Sequence, residues 1–255
     1  MTQDLYIITG ASRGLGLAMA ERLLAAHHFV IGISRTANQS LACRALELGG
    51  TLDQWQLDLE RGAEAGALLE QRLAILNADS FASVTLINNA GVIPRISPLS
   101  EADPTDLARA LRIGLEAPML LTAAFLRATQ SWSIPRKVLN ISSGLGRRAM
   151  ASQAGYCAAK AGMDHFTRCL ALDEALKPNG AKVCSLAPGV IDTDMQVQLR
   201  GAQASAFPDQ SSFVSLKESG QLTSPADAAA LVLAFLARLD FVSKPVADVR
   251  DKAQP

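Results

Sequence analysis

The sequence predicts an α/β domain built on a doubly wound parallel sheet with helices on both faces. Three observations predict it. Short β-branched or apolar runs alternate with longer helical patterns along most of the chain, and such alternation calls for right-handed crossovers that lay successive strands parallel. A glycine-rich stretch, TGASRGLG (9–16), follows the first run and opens the first helical pattern. Apolar residues make up 49% of the 255 residues, enough to cover a sheet on both faces.

Taken in order, LYIIT (5–9), FVIGIS (29–34), DQWQLDL (53–59), VTLINN (84–89), KVLNIS (137–142) and KVCSLA (182–187) read as strands. Each is short and rich in residues that suit a pleated, buried surface. The stretches 14–27, 62–77, 103–129 and 155–177 between them read as helices. A long departure, 194–222, interrupts the alternation before Ser224-Pro225 signals a further helix through an N-cap and a proline at its first position. No repeat, low-complexity tract or linker divides the chain, so 1–255 reads as a single domain with one functional excursion.

With 24 basic and 24 acidic residues the formal charge is zero, which removes the global electrostatic argument for binding nucleic acid or an anionic membrane. No run reaches the ~18 apolar residues of a membrane span, and no export signal precedes the first strand. Cys43, Cys157, Cys169 and Cys184 lack the spacing of metal ligands and lie in apolar stretches, where they read as small core residues. The expectation is a reduced, cytoplasmic protein without a metal.

The glycine stretch is spaced GxxxGxG. Glycines let a backbone approach a pyrophosphate closely, and the free N–H groups and positive end of the helix behind them bind it. Gly10, Ser12, Arg13, Gly14, Leu15 and Gly16 are therefore the first candidates for a dinucleotide site. An NAD site usually offers a carboxylate at the end of the second strand to hold the ribose diol. Here that strand ends in Ser34 and Arg35. Guanidinium groups at Arg13 and Arg35 suit a 2′-phosphate, which favours NADP(H) over NAD.

One of the two tyrosines, Tyr156, stands four positions before Lys160 in AGYCAAKAGM (154–163). On a helix that spacing sets the two side chains side by side, about 6 Å apart.

Together these residues resemble the short-chain dehydrogenase/reductase family over nearly the whole chain. TGASRGLG, Asp58-Leu59, NNAG (88–91), Ser143, YCAAK (156–160) and PGVIDT (188–193) recur in the family's order and spacing. Within it, LEAPMLLT (115–122), APGVIDTDMQ (187–196) and FVSLKESGQLTSP (213–225) look most like the sepiapterin reductase and benzil reductase group. The resemblance implies a Rossmann-type oxidoreductase that reduces a ketone or 1,2-dicarbonyl with NADP(H). Tyr156 would be the general acid, Ser143 would hydrogen-bond the substrate oxygen, and Lys160 would bind the nicotinamide ribose. An ammonium ~4 Å from the phenol at an effective dielectric of ~20 would favour phenolate by up to ~4 kcal/mol, or roughly three pKa units. Asp58, Leu59, Asn89, Ala90 and Gly91 resemble cofactor positions on the adenine side. Pro188, Gly189, Val190 and Thr193 resemble the turn that contacts the nicotinamide.

One position departs from the pattern. The family commonly carries an asparagine in the helix before the serine strand, and Gly114 stands there in RIGLEAPM. Glycine retains the carbonyl that helps hold a relay water in the family but removes the side-chain amide. Two readings follow: a working reductase that needs only the backbone at this point, or a catalytically impaired NADP(H)-binding regulatory protein.

The excursion 194–222 falls where the family places a substrate lid. Met195, Phe207 and Phe213 can wall an apolar pocket for a small carbonyl substrate, or simply pack the lid. Asp248, in the C-terminal FVSKPVADVRDK (241–252), matches the aspartate that anchors the pterin ring in sepiapterin reductases, although Lys244 replaces a glycine of that motif. Family members associate through the helices at 103–129 and 155–177, implying a homodimer or homotetramer.

Overall fold

The computed structural model describes residues 3–241 and 244–252, so Val242 and Ser243 of the C-terminal motif lie outside the described residues. Seven strands form one parallel sheet: β1 (Gln3–Thr9), β2 (Phe29–Ser34), β3 (Thr51–Gln56), β4 (Phe81–Asn88), β5 (Arg136–Ile141), β6 (Lys182–Ala187) and β7 (Val246–Asp248). Their spatial order is β3-β2-β1-β4-β5-β6-β7. The chain reverses its direction of travel between β1 and β4, and in such sheets ligands bind in the crevice outside the carboxyl ends of the strands at that switch point.

Side-chain alternation assigns the two faces. Ile8 of β1 points into an apolar cluster with Met19, Leu23, Leu139, Leu186, Val232 and Phe235, beneath α1 (Gly14–Ala25) and α9 (Pro225–Leu236). Its neighbour Ile7 points the other way, toward Ile31, Leu69, Leu86, Leu121 and Phe125, beneath α3 (Gly62–Ala74) and α5 (Ala117–Ala128). Both faces are closed, which is why these strands read as continuous apolar runs. Phe125 and Leu69 are fully buried, each worth about 1.5–3 kcal/mol relative to exposure.

Several sequence expectations are corrected. The third strand ends at Gln56, so Asp58 and Leu59 belong to the turn after it, where Asp58 accepts a hydrogen bond from the Glu60 N–H at 3.0 Å. A helix not anticipated, α2 (Gln39–Leu48), starts at Asn38, whose side chain accepts from Leu41 N–H, and stops at Gly49 with φ of 62°. The pattern over 103–129 is three pieces: α4 (Pro104–Leu111), a π-turn at Arg112–Glu116 and α5. The excursion contains α7 (Asp194–Arg200) and α8 (Gln210–Glu218). α6 (Ala154–Ala175) lies close to its expected position, and Ser224 caps α9 as anticipated. Cys184 is buried, but Cys43 and Cys169 are exposed, because the apolar stretches around them are helices that turn these positions outward. Among the described residues, no helix is long and apolar enough to cross a membrane.

Candidate active site

The glycine loop leaves β1 with Gly10 at φ 69° and enters α1 through Gly14 at φ 57°, left-handed conformations that glycine adopts without strain. A Cβ at Gly16 would stand 2.2 Å from the Gly10 carbonyl oxygen, so the loop folds this tightly only with glycine. The loop is also held from outside. Asn89 Nδ2 donates to the carbonyls of Thr9 and Gly10, and Asn38 Nδ2 donates to that of Ser12. The N–H groups of Asn89 and Ala90 donate in turn to the Thr9 hydroxyl. The NNAG turn therefore braces the glycine loop.

At its start α1 carries no acidic residue, and no side chain caps it. A helix N-terminus left in this state, behind a backbone stripped of Cβ atoms, fits a pyrophosphate. Across the loop lies the PGVIDT turn: Thr193 Cγ2 is 3.5 Å from where a Gly14 Cβ would be, and Gly189 takes φ 87°. Leu15 is buried in the core. Past the end of β3 a cavity of ≈ 360 Å³ opens between Gln56, Leu57, Asp58, Arg61 and the first turns of α3. The glycine loop thus suits a pyrophosphate, and the cavity past β3 has room for a group beside it.

The two arginines behave differently. Arg35 is exposed at the end of β2 and makes no hydrogen bond or ion pair among the described residues. Arg13 is paired, its Nη1 3.0 Å from Asp194 Oδ2 at the start of α7. Ser34 donates its hydroxyl to the Thr36 carbonyl, shaping the strand end.

On the other side of the switch point, β5 ends at Ile141 and Ser143 follows, its hydroxyl accepting from Leu145 N–H at 3.2 Å. Tyr156 sits in the first turn of α6 and Lys160 one turn later; both are buried, and the Lys160 ammonium lies 5.8 Å from the Tyr156 ring centroid. Lys160 Nζ donates to the Ile141 carbonyl at 2.7 Å, which ties α6 to the end of β5 and brings Ser143, Tyr156 and Lys160 together. Gly91 of the NNAG turn borders the same ammonium, since a Cβ there would lie 3.7 Å from Nζ.

The electrostatics differ from the expectation of a lowered tyrosine. Burial pushes the Tyr156 phenol up to about 12, with the neighbouring Ser143 hydroxyl working against that shift. Burial likewise pulls Lys160 down to about 8, with Asp164 opposing. Both shifts favour the neutral form because both groups have left water. The ammonium spends a hydrogen bond on the Ile141 carbonyl.

Gly114 lies at the centre of the π-turn, buried, and a Cβ there would stand 3.2 Å from Ala159 Cβ, next to Lys160. The helix is therefore opened at this point without an asparagine side chain. Phe207 is fully buried and stacked on Phe213 at 5.6 Å, in a cluster with Tyr156, Ile93, Ile96 and Leu199, against which Met195 packs. These aromatics are the packing that holds the excursion over Tyr156. Ile93, Ile96 and Leu199 were missed by sequence reasoning because isolated apolar residues in a loop or short helix carry no periodic signal. Asp248, at the end of β7, has both carboxylate oxygens held by Arg250 at 2.7 Å, a partner the sequence did not suggest. Val190 is exposed in the PGVIDT turn, whose Gly189 lies near Val249 just past this strand end.

Comparison with known proteins agrees with this geometry. The family model for short chain dehydrogenase matches residues 5–204. The benzil reductase ((S)-benzoin forming) of Bacillus cereus is 37% identical over 219 residues, covering 86% of this chain and 88% of that protein. Sepiapterin reductase of Bos taurus is 31% identical over 266 residues, covering 98% of this chain and 96% of the relative. The crystal structure of a short-chain dehydrogenase/reductase from Burkholderia vietnamiensis has a TM-score of 0.66 at 34% identity, with 99% of each chain covered. With the glycine loop, the NNAG brace and the Ser143–Tyr156–Lys160 cluster in place at the carboxyl ends of the central strands, the chain belongs to the short-chain dehydrogenase/reductase family of nicotinamide-dependent oxidoreductases.

Proposed function

We propose that this protein is an NADPH-dependent carbonyl reductase acting on a small ketone or 1,2-dicarbonyl, benzil-like or pterin-like, with Tyr156 as general acid. The observation that carries this reading is the placement of the buried Tyr156 phenol, with Ser143 and Lys160 beside it, beneath an apolar cover formed by Phe207, Phe213 and Leu199. Bound NADPH supplies the hydride. The Tyr156 hydroxyl donates a proton to the substrate oxygen, and Ser143 orients that oxygen by a hydrogen bond. At about 12 the phenol carries its proton at neutral pH but is a weaker acid than a free tyrosine, so donation draws on the negative charge that develops on the substrate oxygen as hydride arrives. The apolar cover excludes water and suits a flat or aromatic substrate.

Residues Gly10 to Gly16 would hold the pyrophosphate, Asp58 and Leu59 the adenine side, and Asn89 to Gly91 the adjoining ribose. Pro188, Gly189, Val190 and Thr193 would border the nicotinamide. Arg35, exposed and without a partner among the described residues, suits the 2′-phosphate. Association into a homodimer or homotetramer through α4, α5 and α6 accords with Leu172 on α6 and Leu176 just past its end, both exposed. A panel of 1,2-diketones, quinones and pterins, assayed for NADPH oxidation, tests the reading. Turnover of at least one class is expected; tight NADPH binding with no turnover on any would favour a regulatory, cofactor-binding protein instead.

A further inference from the structure

One turn beyond Lys160, on the same face of α6, lies Asp164. Its side chain is 2% exposed, a depth at which carboxylates are almost never found unpaired. Oδ1 accepts the Ser185 hydroxyl of β6 at 2.6 Å. Oδ2 is buried 3.3 Å from Arg147 Nε yet accepts no hydrogen bond among the described residues. The turn after Ser143 is shaped around this oxygen: a Cβ at Gly146 would lie 2.9 Å from it. Arg147 is partly open to solvent and donates to the Ala247 carbonyl of β7 at 3.0 Å.

A neutral asparagine would accept the Ser185 hydroxyl equally well, and the ion pair with the partly solvated Arg147 accounts for only part of the cost of burying an anion here. What the charge adds is a field at the neighbouring turn, where the Lys160 ammonium is also buried. Lys160 faces Tyr156 and Asp164 on its own helix and the Ile141 carbonyl from β5. Asp164 faces Arg147 from the turn after β5, and Ser185 and the Cys184 thiol from β6; Arg238 and Asp251 lie around that thiol. The Arg147 charge is shared with water, whereas that of Asp164 is not, so at Lys160 the carboxylate prevails.

We propose that Asp164 is a positioning residue for the reductase site: its buried carboxylate, one turn along the shared face of α6, keeps Lys160 charged beside Tyr156. The proposal rests on Lys160 belonging to that site. The direction of the Lys160 shift agrees with it, since burial lowers the lysine and Asp164 opposes the lowering.

The test is the titration of Lys160 itself, followed by NMR in the full-length protein carrying ¹³Cε-labelled lysine. The Lys160 signal is identified by its absence from Lys160→Arg, and no turnover is required. Asp164→Asn should lower the Lys160 midpoint by one pH unit or more, and Asp164→Glu should restore part of the loss. Arg147→Gln, which removes the competing cation from the far side of the carboxylate, should raise the midpoint. An unchanged Lys160 midpoint in folded Asp164→Asn overturns the proposal. If that variant does not fold, an unchanged or lowered midpoint in Arg147→Gln overturns it. A wild-type protein that reduces no carbonyl compound while its Lys160 midpoint still follows Asp164 would overturn the proposed reaction and support the coupling.

Discussion

Arg13 and Asp194 form an ion pair at 3.0 Å that joins the glycine loop to the first residue of α7. The side chains are 70% and 77% exposed, and such pairs are worth about 0–1 kcal/mol. A cofactor phosphate that needs Arg13 therefore meets a weak competitor. Asp194→Ala should leave NADPH affinity unchanged or raise it by up to about fivefold. Arg35→Ala, removing a charge-assisted phosphate contact of about 1.5–3 kcal/mol, should weaken NADPH by roughly 10- to 150-fold and NADH far less. Fluorescence titration of both reduced cofactors checks this; equal affinity of the wild-type protein for NADH and NADPH would contradict the assignment.

Tyr156 packs with Ile93, Ile96, Leu199, Phe207 and Phe213, so replacing it with phenylalanine preserves the ring and removes only the hydroxyl. Tyr156→Phe should fold, bind NADPH with little change, and lose about 10²-fold or more in kcat. Steady-state kinetics paired with cofactor titration separate the two effects. A comparable loss in binding would instead assign the tyrosine to the cofactor pocket.

How far this site was legible depends on what each signal required. The glycine loop and the Tyr156–Lys160 pair are local, set by a turn and by helical spacing, and both lie where the sequence put them. β7 has three residues after Pro245, too few to show periodicity, and exists because β6 offers it an edge. α2 carried readable signals in Asn38 and Gly49, yet its weakly apolar face, with Leu41 and Ala45 alone buried, obscured it. The π-turn at Gly114 lies against Ala159 of another helix, and the Tyr156 shift comes from burial. Neither is written in a linear pattern.

The depressed Lys160 value carries a stability consequence. With a folded value near 8 against an ordinary 10.5, the unfolded chain holds the lysine proton more tightly. Below about pH 8 both states are protonated and the full penalty of burying the charge is present. As pH rises from about 8 to 10.5 the folded state loses its proton first and the penalty, on the order of 3 kcal/mol, fades. Lys160→Met should accordingly unfold at a higher temperature than wild type at pH 7, and this advantage should shrink toward pH 10. Thermal denaturation of both proteins across that range provides the check. An advantage that grows with pH would reverse the sign of the argument.

Gly114 is where family pattern and residue disagree, and the structure bears on the choice. The helix between α4 and α5 is already opened into a π-turn with glycine at its centre, so the side-chain amide is not what opens it. Glycine also fits the neighbouring helix: a Cβ at this position would approach Ala159 Cβ to 3.2 Å, tighter than ordinary contact. Gly114→Asn should therefore lower stability modestly, by about 1 kcal/mol or somewhat more, and leave kcat within about threefold if the backbone carbonyl suffices for the proton relay. Gly114→Ala introduces the same Cβ without the amide, so a difference between the two variants isolates the amide from the crowding. The measurement is kcat against pH under saturating NADPH for wild type and both variants. A gain of about 10-fold or more in Gly114→Asn, absent from Gly114→Ala and accompanied by a shift of the alkaline limb, would show that the amide is needed and that the native protein works without a complete relay.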